Sequence, residues 1–166
     1  MSWPALPFDP YTTIFTVGLL YTLMPLAVWT VLWGRHDRTN TALWCVGALL
    51  SGVSYLLFGL RPSLPAVLSL QVANALGYVA YAMRWAALRR ERARSVPAAV
   101  LAAMVAAATL LFVYFSMLGT LQRMLFNLGL QIFGSMLLAH EAHRLAEERT
   151  RSTPTRRSSR SGCCTR

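Results

Sequence analysis

Five stretches of the chain are apolar over about 20 residues each, the length a helix needs to cross the hydrocarbon core of a bilayer. They run over 12–33, 41–60, 64–85, 97–118 and 120–139, with short polar links between them. A soluble bundle of five such uninterrupted runs would have no face to offer water. The pattern therefore predicts an all-α, polytopic membrane helix bundle with five transmembrane helices. Pro25 falls inside the first run and is tolerated there as a kink. Asn40 or Thr39 is placed to cap the second. The link Arg-Pro-Ser-Leu-Pro (61–65) stops the second helix and starts the third, and Pro97 opens the fourth. Links this short favour antiparallel neighbours in an up-and-down bundle.

The fifth run does not stop at Ala139. It continues as Leu-Leu-Ala-His-Glu-Ala-His-Arg-Leu-Ala-Glu-Glu-Arg (137–149), a polar helical extension over 140–149. From Thr150 the chain turns to Arg, Ser and Thr without period, so 1–149 reads as one transmembrane domain and 150–166 as a disordered basic tail.

Composition agrees with a membrane class: 55% of the 166 residues are hydrophobic and 13% charged, with a mean hydropathy of +0.45. All sixteen basic residues are Arg. With abundant Ala, Leu and Val, this is the usage of GC-rich bacterial coding, and it places the protein in a bacterial inner membrane. The net charge of +10 is not a nucleic-acid footprint, because no basic groove is interleaved with aromatics. Fourteen Arg residues instead fall on one side of the predicted bundle: Arg35 and Arg38; Arg84, Arg89, Arg90, Arg92 and Arg94; and seven from Arg144 onward. Only Arg61 and Arg123 fall on the other. Basic residues near span ends are retained in the cytoplasm, so the N-terminus is expected outside and the C-terminus inside, which requires an odd number of crossings. Met1–Tyr11 holds no Lys or Arg, so the first run reads as a retained anchor rather than a signal peptide. The basic tail suits anionic lipid headgroups. Trp3, Tyr11, Trp29, Trp33, Trp44 and Trp85 lie near span ends as interfacial belts.

Two constellations are candidates for chemistry. Arg123, Asn127, Gln131 and Ser135 are spaced by four along one face of the fifth helix, and Gln71, Asn74 and Tyr78 of the third lie at comparable depth. Polar groups in hydrocarbon must face protein or water. The stripe is therefore either interhelical hydrogen bonding or a small polar cavity open to the outer side, with Arg123 at its mouth drawing an anion. In the 140–149 window, His140, His143 and Glu147 fall within about 60° on a helix. Zinc-protease chemistry needs histidines four apart with a glutamate between them, and here they are three apart, beside the fixed positive charge of Arg144. The window reads as a helix surface with Arg144–Glu148 and Glu147–Arg151 pairs, with no metal. His36 lies in a link, which is unsuited to a haem site between facing helices. No nucleophile with a base, no phosphate loop and no paired intramembrane carboxylate appears, so neither catalysis nor a cofactor is expected. Cys45, Cys163 and Cys164 form no disulfide framework or zinc spacing. Gly47, Ser51, Ser54 and Gly59, Ala99, Ala103 and Ala107, and Gly129 and Gly134 offer close-packing faces, which also leave a homodimer open.

A resemblance adds to this reading. The basic first link, then Trp-Cys-Val-Gly-Ala-Leu-Leu-Ser-Gly (44–52), Leu-Arg-Pro-Ser-Leu-Pro (60–65), Leu-Ser-Leu-Gln-Val-Ala-Asn-Ala-Leu-Gly-Tyr (68–78) and Arg-Trp-Ala-Ala-Leu-Arg-Arg-Glu-Arg (84–92) together resemble the N-terminal integral-membrane sensor region of proteobacterial GGDEF proteins, the diguanylate cyclases. The likeness covers roughly the first 145 residues. It implies a sensory input module that passes a membrane or extracytoplasmic cue to a cytoplasmic output domain. The Gly-Gly-Asp-Glu-Phe signature and the cyclase domain are absent from this sequence, and the switch in character after Leu145 is that of a truncated or frame-shifted product. The alternative is a stand-alone transport or ion-pathway subunit using the Arg123, Asn127 and Gln131 stripe.

Overall fold

The computed structural model of the chain describes residues 9–32 and 38–151, and every regular element among them is helical. The helices are α1 (Pro10–Leu32), α2 (Arg38–Gly59), α3 (Ala73–Glu91), α4 (Ala98–Leu118) and α5 (Thr120–Arg151). A 3-10 turn (Arg61–Ser63) and a π-helical stretch (Val67–Val72) lead into α3. Three of the helices, α1, α2 and α4, are long and apolar enough to cross a membrane.

The chain entry to α1 is built by Asp9. Its carboxylate accepts from the Tyr11 backbone N–H at 3.2 Å and the Thr12 hydroxyl at 2.7 Å, a cap with Pro10 at the first helical position. The Thr12 hydrogen bond, seconded by that of Tyr11, holds the Asp9 carboxyl below its ordinary value.

α1 and α2 then meet along a glycine seam in an antiparallel register. A Cβ on Gly18 would stand 2.8 Å from the Leu56 nitrogen, one on Gly52 2.8 Å from the Thr22 nitrogen, and one on Gly59 2.9 Å from the Phe15 Cα. Where lipid supplies no hydrophobic drive between helices, close backbone approach of this kind is what holds them. Pro25 and Ala48, both buried, lie one turn further along.

α3 is the central helix, packing on α2, α4 and α5. Gly47 of α2 lets α3 approach, with the Ala80 carbonyl 3.1 Å from where its Cβ would be. Side chains satisfy the widened π turn: the Ser54 hydroxyl donates to the Ala73 carbonyl at 2.7 Å, and the Asn74 amide donates to the Leu70 carbonyl at 2.6 Å. Phe112, 2% exposed, is the buried anchor of α4 and meets Tyr78 edge-on at 6.3 Å. Phe115 of α4 stacks on Phe126 of α5 at 4.9 Å. A single residue, Gly119, joins α4 to α5. Its φ of 150° lies where side-chain-bearing residues are strained.

Several sequence expectations shift. Thr39 and Asn40 lie inside α2 rather than before it, and Asn40 is buried. α3 runs to Glu91, six residues beyond the expected end, so most of the Arg-rich link is helix; Ala lacks the branching that would resist continuation. α5 likewise keeps Thr150 and Arg151 helical. Of the small-residue faces, Ala99, Ala103 and Ala107 are exposed, Gly134 packs on the Tyr81 ring, and Gly129 has open space around it. Trp3, Trp33, Arg35, His36, Cys163, Cys164 and the tail from residue 152 lie outside the described residues.

Candidate functional site

Polar side chains of α2, α3 and α5, with Tyr21 of α1, converge on a cavity of about 50 Å³. Asn74, Tyr78, Tyr81 and Arg84 come from α3; Ser51, Ser54 and Tyr55 from α2; Asn127 and Gln131 from α5. The Tyr78 hydroxyl donates to the Asn127 side-chain oxygen at 3.3 Å, and the Tyr81 hydroxyl lies 3.5 Å from that of Ser135. Tyr21 and Tyr55 pack against each other at 5.4 Å. A volume of this size holds a few water molecules or one small solute, at about 10–15 Å³ each.

The stripe on α5 and the polar positions of α3 are thus brought together in part. Asn74, Tyr78, Asn127 and Gln131 line the cavity. Ser135 reaches Tyr81. Arg123 is half-buried and Gln71 exposed, and neither is among the lining residues.

The cation in the cavity is Arg84. Helical side chains lean toward the N-terminus of their helix, and Arg84 follows that rule away from the basic end of α3. Its Nε donates to the Ala80 carbonyl at 3.3 Å, its Nη2 donates to the Ser51 hydroxyl at 2.6 Å, and its guanidinium lies 5.0 Å from the centre of the Tyr81 ring. Sequence reasoning counted this residue among the charges at the cytoplasmic end of the third run, not among the polar groups facing the bundle interior. The signal for its true place was present: the three-and-four spacing from Asn74 through Tyr78 and Tyr81 reaches Arg84 when carried one step further.

A second cluster lies at the far end of α3 and α5. α3 closes with Ala93 in the left-handed region (φ 55°). The Ala93 N–H bonds the Arg90 carbonyl at 2.9 Å and the Arg94 N–H bonds the Arg89 carbonyl at 3.0 Å, a Schellman closure that costs about 1 kcal/mol for want of glycine. This fixes Arg92 at the helix cap. From there its Nη1 donates to Glu141 at 2.5 Å and its Nη2 to Glu148 at 2.6 Å, two carboxylates that lie two turns apart on α5. The Arg92 side chain is 5% exposed. Arg149 meets Glu91 at 3.6 Å, and Arg89, stacked on Trp85 at 5.0 Å, stands 4.0 Å from Glu141. The Arg92 hydrogen bond holds the Glu148 carboxyl below its ordinary 4.5, and Glu148 and Glu141 together raise Arg92.

This arrangement revises the pairing expected for the 140–149 window. Glu148 is taken by Arg92 across the helix pair rather than by Arg144, because Arg92 is fixed at the cap of α3 while Arg144 is an exposed side chain on α5's own surface. Glu147 faces His143, with 3.7 Å between Oε1 and Nδ1. His140 is exposed, and no group of three or more His, Cys, Asp and Glu side chains converges among the described residues.

Fold and site define an all-helical protein with three membrane-length apolar helices, a polar interior cavity and an ion-pair clamp at one end of its longest helix. No family model, no curated protein and no solved structure matches the chain.

Proposed function

We propose that the chain is the membrane-embedded input module of a bacterial signalling protein. In this reading it crosses the inner membrane five times, N-terminus outside and C-terminus inside. The observation that carries it is the continuity of α5. One 32-residue helix supplies Asn127 and Gln131 to the cavity and Glu141 and Glu148 to the clamp. From the nearest pair, Gln131 and Glu141, to the farthest, Asn127 and Glu148, cavity and clamp are separated by about 15 to 30 Å along it, at 1.5 Å per residue. A cue that favours one position of α5 at the cavity is therefore read out at the clamp, provided it binds two arrangements of the bundle unequally.

Crossing by α5 is supported by its outer surface. Leu121, Met124, Leu125, Leu128, Ile132, Phe133 and Met136 are all exposed, while Asn127 and Gln131 turn inward to the cavity. Averaged hydropathy understates such a helix, because lipid meets only the apolar face. The orientation follows from the Arg residues at the ends of α3 and α5, which suit the cytoplasmic leaflet and its anionic headgroups. The resemblance to the membrane region of GGDEF proteins points to the same role.

Fusion of a GGDEF cyclase domain of known turnover after Arg151 tests the coupling. At equal membrane insertion, Gln131→Leu in the cavity and Arg92→Ala in the clamp should each change cyclic-di-GMP formation by about fivefold or more, the low end of ordinary coupling energies. Turnover indifferent to both substitutions would contradict the input role.

A further inference from the structure

We infer that the cavity between α2, α3 and α5 is a binding site for a small planar oxyanion, of the size of acetate, bicarbonate or nitrate, with Arg84 as its counter-ion. The inference rests on reading that cavity as the cue site of the module and gives the cue its chemical class.

The charge balance carries the argument. The six acidic residues of the chain are Asp9, Asp37, Glu91, Glu141, Glu147 and Glu148. None lines the cavity. Arg84 lies seven residues before Glu91, about 10 Å inward along α3, and its side chain reaches further inward, toward Ser51 in the middle of α2. An Arg near a membrane boundary ordinarily sends its charge outward to the headgroups. Arg84 does the reverse, and a guanidinium held in a bundle interior requires an anion or several hydrogen-bond acceptors. Ser51 and the Ala80 carbonyl accept two of its five N–H groups. No acceptor among the described residues takes the other three.

The rest of the lining donates as well. With its oxygen engaged by Tyr78, Asn127 keeps its NH2 group for another partner. Gln131 lines the same space with an amide that offers two further N–H groups. The Ser51, Ser54 and Tyr78 hydroxyls are already committed to Gly47, Ala73 and Asn127, so one fixed positive charge, the Asn127 and Gln131 amides and no carboxylate are what select an anion. The flat fork of the guanidinium matches two oxygens of a planar ion, and about 50 Å³ limits the ligand to a handful of heavy atoms.

The full chain in phosphatidylcholine nanodiscs, titrated with sodium acetate, sodium nitrate and sodium bicarbonate at constant ionic strength set by sodium chloride, tests this by thermal unfolding. At least one planar ion should raise the midpoint saturably, as ligand linkage requires, and the responding ion identifies the member of the class. Arg84→Gln should weaken the apparent affinity by about tenfold or more, the loss of a charge-assisted pair. Should that variant fail to assemble, Arg84→Lys and Asn127→Ala, which keep the charge and the fold respectively, should each weaken binding measurably. A midpoint that no planar ion moves, or a shift undiminished in all three variants, would overturn the site. Absence of binding in a chain whose cyclase fusion still responds to Gln131→Leu would reject the oxyanion alone. Binding without any response of the fusion would retain the site and reject the input role.

Discussion

Gly52→Ala is expected to lower the stability of the bundle by about 1–3 kcal/mol, the cost of overpacking a tight contact, and Gly52→Leu to separate α1 from α2. The added Cβ would meet backbone, the Thr22 nitrogen at 2.8 Å and the Tyr21 carbonyl carbon at 2.9 Å, so no side-chain rotation relieves it. Helix displacement is the only remedy, and it opens the contacts at Gly18 and Gly59 on the same seam. Gly129 of α5 is the internal comparison. With nothing within 4 Å of its Cβ position, Gly129→Ala should be neutral or stabilising by up to about 1 kcal/mol, through helix propensity alone. Reversible SDS titration in mixed micelles reads both variants. Equal losses at Gly52 and Gly129 would show that α1 and α2 are not held by close backbone approach.

Release of the clamp by acid or by Arg92→Ala is the second large effect expected. A carboxyl whose native pKa is depressed stabilises the folded arrangement fully above its unfolded value and loses that contribution as the pH falls through the native one. For Glu148 the ordinary value is 4.5 and the native one lies below it. A spin label on the exposed Ala142 should therefore keep constant, restricted mobility from neutral pH down to about 5 and become mobile as the pH drops below 4.5. Arg92→Ala should give the mobile spectrum already at neutral pH, because Glu148 loses its Arg92 partner and Glu141 its closest one, keeping only Arg89 at 4.0 Å. Arg144→Ala, at an exposed position outside the cross-helix pairs, is expected to leave it restricted. A label equally ordered in wild type and Arg92→Ala at neutral pH would remove the clamp from the account.

Much of the architecture was legible because hydropathy in lipid is a strong constraint: runs of about 20 apolar residues have few alternatives to a helix. All five helices stand where the runs do. Boundaries moved where polar residues continue a helix, as in 86–91 of α3, since hydropathy marks where apolar character ends and not where hydrogen bonding does. The cavity was half legible. Spacing of three and four located Asn74, Asn127 and Gln131, but spacing cannot say which neighbour a stripe faces, so the partners Ser51 and Tyr55 on α2 were out of reach. Arg84 was counted with the cytoplasmic-side charges because a charge near a span end is read as exposed. Only the direction of its side chain, back along α3 to the Ala80 carbonyl and Ser51, reveals an inward charge. Glu148 was paired within its own helix for a similar reason. Helical spacing proposes i and i+4 partners, whereas the Schellman closure at Ala93 presents Arg92 from another helix.

The account stands most directly on α3 and α5 crossing the membrane beside the three apolar helices. Paired phosphatase and fluorescent-protein reporters fused after Arg38, Arg61, Arg94, Gly119 and Arg149 measure this. The expected result is cytoplasmic reporting at Arg38, Arg94 and Arg149 and outer-side reporting at Arg61 and Gly119. Cytoplasmic reporting at Arg61 or Gly119, or outer-side reporting at Arg149, would contradict it.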